Sequence, residues 1–145
     1  MNGTSVRKVA IVGGARIPFC RSNTAYATQS NKDMLTATFA AVVKKYRLQG
    51  ERMGQVAAGA VLKHSRDFNL CRESVMSSGL AFETPAADVQ MACGTGLQAT
   101  INIANKIALG QIDCGLAGGV DTASDAPIGV NEKLRQQFLK VNRAK

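Results

Sequence analysis

Four short runs of small apolar residues punctuate this chain, and they set most of what it can fold into. KVAIVGG (8–14), QVAAGAVL (55–62), ADVQMAC (87–93) and CGLAGGVDTAS (114–124) are too short for typical helices and give way to glycines or polar turns. Near-continuous apolar runs of this length suit strands covered on both faces. Between them lie segments with helical spacing. Ser30 precedes Asp33 at the interval of a capping box. Behind it Leu35, Phe39, Val42 and Tyr46 recur every three or four residues, with Met34 and Val43 alongside. A helix is therefore predicted over 31–48, stopped by Gly50. Asn69 is placed to cap a short helix over 70–81 that stops near Gly79, and a further helix spans 95–110 and stops at Gly110. The order β-α-β-α-β-α-β predicts an α/β fold with a mostly parallel sheet and helices on its faces. The loop over 15–31 is long and polar, and Pro18 breaks any helix there.

The 145 residues suffice for one domain with a real core. Ala and Gly carry much of the apolar content and aromatics reach only 5%, which favours close helix-to-sheet packing over a sandwich of large rings. The net charge of +8 gathers at the two ends of the chain. Such a surface suits an anionic ligand, nucleic acid, or simply solvent. No aromatic platform or recognition motif supports nucleic acid, so that partner is not expected. VGGARIP lacks the third glycine of a dinucleotide fingerprint and no helical segment follows it, which argues against a nucleotide-binding fold.

Cys20, Cys71, Cys93 and Cys114 form no C-x-x-C pair, and His64 is the single histidine. A zinc site is not expected, and the thiols suit a reducing compartment. No apolar stretch is long enough to span a membrane, and VAIVGGA is too short for a secretory signal.

The helix after Cys93 is unusually apolar around its circumference. Gln98, Asn102, Asn105 and Lys106 share one narrow face, while Leu97, Thr100, Ile101, Ile103, Ala104, Ile107 and Ala108 fill the rest. A helix on the outside of a sheet needs a narrower stripe, so this one expects cover on more than one side. Cys93 itself is placed between the carboxyl end of a strand and the amino end of this helix. Free amides and the helix dipole stabilise negative charge there, and a thiolate is such a charge. The same amides can hold an oxyanion. Gly94 and Gly96 leave room for a substrate to approach the backbone. Without chemistry, the same residue is a small apolar side chain packed at a turn.

MACGTGLQA (91–99) resembles the nucleophile motif of thiolases. AGGVDTAS (117–124) is similar to that family's glycine-pair motif on the following strand, and AIVGGARIPF (10–19) to its opening strand and Arg-x-Pro-Phe turn. The three occur in family order, and the resemblance covers the whole chain. It implies the incomplete N-terminal half of a two-half fold, with residues 1–126 as a partial N-terminal domain and 127–145 as the beginning of an inserted loop domain.

The resemblance also implies a thiolase-type acyltransferase. Cys93 would be the acyl-thioester nucleophile, supported by Gly94, Gly96, Gly118 and Gly119. It would cleave 3-ketoacyl-CoA to acetyl-CoA and a shortened acyl-CoA, with coenzyme A as co-substrate and no bound cofactor or metal. KHSRDFNLCRE (63–73) looks like the branch serving as β-subunits of fatty-acid oxidation complexes. From it follow a role in β-oxidation, a cytoplasmic location, a homodimer or larger assembly, and an α-subunit as partner. A biosynthetic acetoacetyl-CoA thiolase and a non-catalytic thiolase fragment are the alternatives. The activating histidine and the second, acid/base cysteine belong to later family motifs. His64 is expected to be a surface residue, and Cys20, Cys71 and Cys114 packing or incidental thiols.

Overall fold

A computed structural model describes residues 6–144. Its elements in order are α1 (Asn31–Tyr46), β1 (Gln55–Ala58), a 3₁₀ turn (Ser65–Asp67), α2 (Leu70–Met76), β2 (Ala86–Asp88), α3 (Thr95–Ala108), β3 (Gly115–Ala117) and α4 (Glu132–Arg143). The three strands form one parallel sheet in the order β2-β1-β3. The α/β architecture expected from the alternation is present, with three strands among the described residues rather than four.

Strand alternation divides the core. Val56 and Ala58 face α1 and α2 and pack with Leu35, Phe39, Val43, Leu70, Cys71 and Val75. Ala57 faces the other way, onto Ala99 and Ile103 of α3. Each fully buried Leu, Val or Phe contributes on the order of 1.5–3 kcal/mol. Chain order runs from β1 out to β2, then back across to β3. Such a reversal opens a crevice at the carboxyl ends of the strands.

The Ser30 cap forms as expected. Its hydroxyl accepts the Asp33 amide at 3.1 Å, and Asp33 in turn accepts the Ser30 amide at 3.0 Å. The other end differs. Arg47, not Gly50, closes α1 in a left-handed conformation (φ 56°), with the Leu48 amide donating to the Val43 carbonyl at 2.9 Å. The second helix is also shorter than 70–81. It ends at Met76, and Gly79 (φ 92°) turns the chain away. Asn69 makes no side-chain cap. The carboxylate of Asp88, reaching over from β2, accepts the Cys71 amide at 2.7 Å instead.

All four expected strands change. QVAAGAVL (55–62) is a strand only over Gln55–Ala58 and CGLAGGVDTAS (114–124) only over Gly115–Ala117, with the Gly118 amide to the Ala57 carbonyl and the Val120 amide to the Gly59 carbonyl (both 3.0 Å) the last backbone bonds between them before each glycine-containing segment turns away. Residues 8–14 form no ladder. They run beside β3 across a cleft of about 250 Å³, tied by the Arg7 amide to the Ala108 carbonyl (3.0 Å) and by Lys45 Nζ to the Gly14 carbonyl (3.0 Å). Ile11 and Val12 stay 84% and 87% exposed, so pairing here brings little of the burial that stabilises an inner strand. The strand expected over 87–93 ends at Asp88, with one further bond from the Val89 amide to the Ala58 carbonyl.

The wide apolar arc of α3 is half used. Thr95, Ala99 and Ile103 are buried, while Leu97 remains 66% exposed and Ile101 is also open. α4 buries no residue, and its Leu134, Phe138 and Val141 lie on one uncovered stripe.

Candidate active site

Cys93 is exposed and sits immediately before Gly94, the N-cap of α3. It does not stand at a strand end as expected. Four residues separate it from β2, because the chain leaves the sheet after Val89 and enters a tight turn. The Met91 amide donates to the Thr95 hydroxyl at 2.9 Å instead of to a neighbouring strand. The Met91 carbonyl accepts the Gly94 amide at 2.9 Å. Ala92 is left-handed at φ 44°, a conformation that costs an L-residue roughly 1–2 kcal/mol. Its carbonyl accepts both the Thr95 amide (3.2 Å) and the Thr95 hydroxyl (2.8 Å). The thiol therefore projects from a sharp turn next to the first turn of α3, where the amides of Gly96 and Leu97 have no intrahelical acceptor. Those amides and the helix dipole favour negative charge at that end.

The supporting glycines divide. A Cβ on Gly96 would lie 3.8 Å from the Gly118 carbonyl carbon and 3.9 Å from the Gly119 nitrogen, so the first turn of α3 rests on the backbone leaving β3. A Cβ on Gly119 would lie 3.3 Å from the Gly59 carbonyl oxygen. At Gly94 the space expected for a substrate is occupied by the Met91 methyl, 2.6 Å from the position of a Cβ. Gly118 faces open space. Sequence reasoning missed Gly59, where a Cβ would meet the Val89 carbonyl carbon at 2.9 Å and the Thr95 methyl at 3.2 Å. The one hint was its position at the end of an Ala-rich strand, VAAGA. Thr95 was missed too, because a side-chain bond to a turn leaves no trace in an apolar pattern.

The other thiols and the histidine lie apart. Cys114 is exposed and Cys71 is fully buried. Burial first, and then the neighbouring Asp88 carboxylate, push the Cys71 thiol from an ordinary 9.0 up to about 12. The fold thus accommodates the neutral thiol, while the unfolded chain ionises it earlier. Stability is full below pH 9 and falls as pH rises toward 12, by at most about 1.4 kcal/mol per unit. Cys71→Ala is expected to remove this part of the alkaline slope. Urea unfolding midpoints from about pH 8 to about pH 11 check it, and parallel slopes in the two proteins would refute it.

His64 is half-buried rather than a surface residue. Its Nε2 donates to the Asp125 carbonyl at 2.8 Å, Arg66 pairs with the Asp125 carboxylate, and the Asp67 carboxylate accepts the His64 amide at 3.1 Å. Lys63 meets Asp88 at 2.9 Å. The KHSRDFNLCRE segment is thus pinned to the segments following β3 and to β2, and its histidine has a structural partner.

A cleft of about 580 Å³ lies between Ala15–Ser22 and Gly119–Ser124 and includes half-buried Cys20 and Tyr26. Cys93 does not line it; the cleft reaches Gly119, whose backbone lies against Gly96 in the first turn of α3. Among the described residues no group of three or more His, Cys, Asp or Glu side chains could hold a metal. None of their helices is long and apolar enough to cross a membrane.

Comparison with known proteins bears on this arrangement. The family model described as Thiolase, N-terminal domain, matches residues 9–145. A 3-ketoacyl-CoA thiolase of Aliivibrio fischeri (strain MJ11) is 36% identical over 138 residues, 95% of this chain and 31% of the relative. A 3-ketoacyl-CoA thiolase of Vibrio cholerae serotype O1 (strain ATCC 39315 / El Tor Inaba N16961) is 35% identical over 141 residues, 97% of this chain and 32% of the relative. The chain thus spans about a third of the length of these curated relatives. The crystal structure of the Bacillus anthracis acetyl-CoA acetyltransferase superposes with a TM-score of 0.82 at 21% identity, covering 89% of this chain and 33% of that one, a likeness of fold.

Proposed function

The chain belongs to the thiolase family, matching its N-terminal domain, and from that premise we propose that it supplies the acyl-accepting cysteine of a 3-ketoacyl-CoA thiolase. The observation that carries this reading is the exposed Cys93 thiol on its left-handed turn at the amino end of α3. The Cys93 thiolate adds to the keto carbon of the substrate, and the adjacent amides stabilise the oxyanion. The adduct collapses by breaking the bond between C2 and C3. The electron pair leaves on C2 of acetyl-CoA, which takes a proton, and the shortened acyl group stays on Cys93 as a thioester. The thiolate of free coenzyme A then attacks that thioester and releases Cys93. The resemblance places the proton-handling histidine and second cysteine in later motifs. Acyl-CoA of fatty-acid oxidation as substrate, a cytoplasmic setting, and assembly as a homodimer with an α-subunit partner rest on the KHSRDFNLCRE resemblance alone.

Residues 1–145 are expected to load an acetyl group on Cys93 from acetyl-CoA by thioester exchange, with coenzyme A leaving, and to sustain no turnover of acetoacetyl-CoA. A nucleophile without its proton partners loses orders of magnitude in rate. Peptide mass spectrometry locates the acetyl group and an absorbance assay reads turnover. Loading no greater on Cys93 than on exposed Cys114 would overturn the reading. Steady turnover would show that the needed proton partners are already present.

A further inference from the structure

We propose that Thr95 is the positioning residue for Cys93, holding the thiol in its reactive orientation through a single hydroxyl that clasps both sides of the turn. The inference rests on reading Cys93 as the nucleophile. Three observations carry it. Ala92, directly before Cys93, is one of three non-glycine residues at positive φ among those described, and the others, Asn23 and Arg47, lie at a loop and a helix end. Thr95 Oγ1 accepts the Met91 amide at 2.9 Å and donates to the Ala92 carbonyl at 2.8 Å, so one atom bridges the residues that bracket the left-handed φ. The Thr95 side chain is itself fixed, being 5% exposed with its methyl turned toward Gly59. A hydroxyl held this way locks the direction in which the chain leaves Ala92, and that direction aims Cys93. Alanine at 92 lacks glycine's ease in this conformation, so the turn relies on the clasp.

Cys93 alkylation by iodoacetamide measures the aim, with exposed Cys114 as reference and buried Cys71 as a report on the fold. Thr95→Val keeps the shape and removes the hydroxyl. It is expected to slow Cys93 alkylation about tenfold relative to Cys114, because small misplacement of a reacting group has effects of this size. Thr95→Ser keeps the hydroxyl and is expected to stay within about threefold of the parent. Ala92→Gly added to Thr95→Val supplies a residue at ease in the left-handed region, and is expected to recover part of the lost rate. Cys71 stays unlabelled in every folded variant.

Cys93 no faster than Cys114 in the unaltered protein sinks the nucleophile reading itself. Fast Cys93 that Thr95→Val leaves unchanged sinks only the role of Thr95. Equal losses in Thr95→Ser and Thr95→Val also overturn it, since the hydroxyl would then be irrelevant. Should Thr95→Val label at Cys71 both with and without Ala92→Gly, Thr95 is a requirement of the fold rather than a positioning residue, and the proposal fails.

Discussion

Cys93→Ser, in a full-length thiolase carrying this domain, is expected to lower thiolysis of 3-ketoacyl-CoA by about a thousandfold or more while leaving the unfolding transition in place. The side chain is exposed and packs into no core, so exchanging sulfur for oxygen removes little that holds the domain together. The turn is built from backbone groups and the Thr95 hydroxyl, none of which the substitution touches. What changes is the nucleophile. A serine alcohol stays protonated near neutral pH and is the weaker nucleophile. Cys114→Ser, also exposed but outside the turn, is expected to stay within about twofold of the parent, as surface changes usually do. Steady-state assays and thermal melts of the two variants decide the matter. Near-normal turnover in Cys93→Ser would end the covalent mechanism.

Gly59→Ala is expected to be the most damaging glycine substitution at the candidate site, costing about 3 kcal/mol or more, the upper end of what overpacking does. The new methyl would overlap the Val89 carbonyl, lie 2.9 Å from its carbon and press on the Thr95 methyl. The backbone cannot give way easily. Val89 is held to Ala58 at 3.0 Å, and the Gly59 carbonyl accepts the Val120 amide at 3.0 Å. Against a total stability of roughly 5–15 kcal/mol, that loss is large. Gly118→Ala provides the contrast, since its Cβ meets open space and the change is expected to stay within about 0.5 kcal/mol. Urea unfolding of both variants tests the pair. Equal stability for the two would mean that Val89 yields to the methyl without cost.

Local signals were legible and long-range ones were not. α1 could be read because its cap and its apolar face lie within the same twenty residues, from Ser30 to Val43. The parallel sheet followed from the spacing of apolar runs, and the thiolase motifs pointed to the family. Residues 8–14 have the composition of a strand, yet composition does not say whether an edge will pair with them. Asn69 has the right chemistry for a cap and lost the position to Asp88, nineteen residues downstream. ADVQMAC has the pattern of one strand, since nothing apolar marks where it leaves the sheet. Past that point the hydroxyl of Thr95, four residues beyond Met91, takes the Met91 amide in place of a strand. His64 lies in a polar loop whose sequence predicts exposure, because its partner Asp125 is sixty-one residues away.

The gap between residues 8–14 and β3 has a consequence for how copies of this chain meet. β3 is the last strand of its sheet, and its outer row of amides and carbonyls is open to any extended backbone. The chain's own segment lies alongside at a fixed effective concentration, tethered at Arg7 and Gly14. The same segment of a neighbouring molecule offers identical bonds at whatever concentration the solution holds. Pairing of β3 with its own segment and with that of a second copy is therefore expected to compete for one edge, with dilution favouring the first.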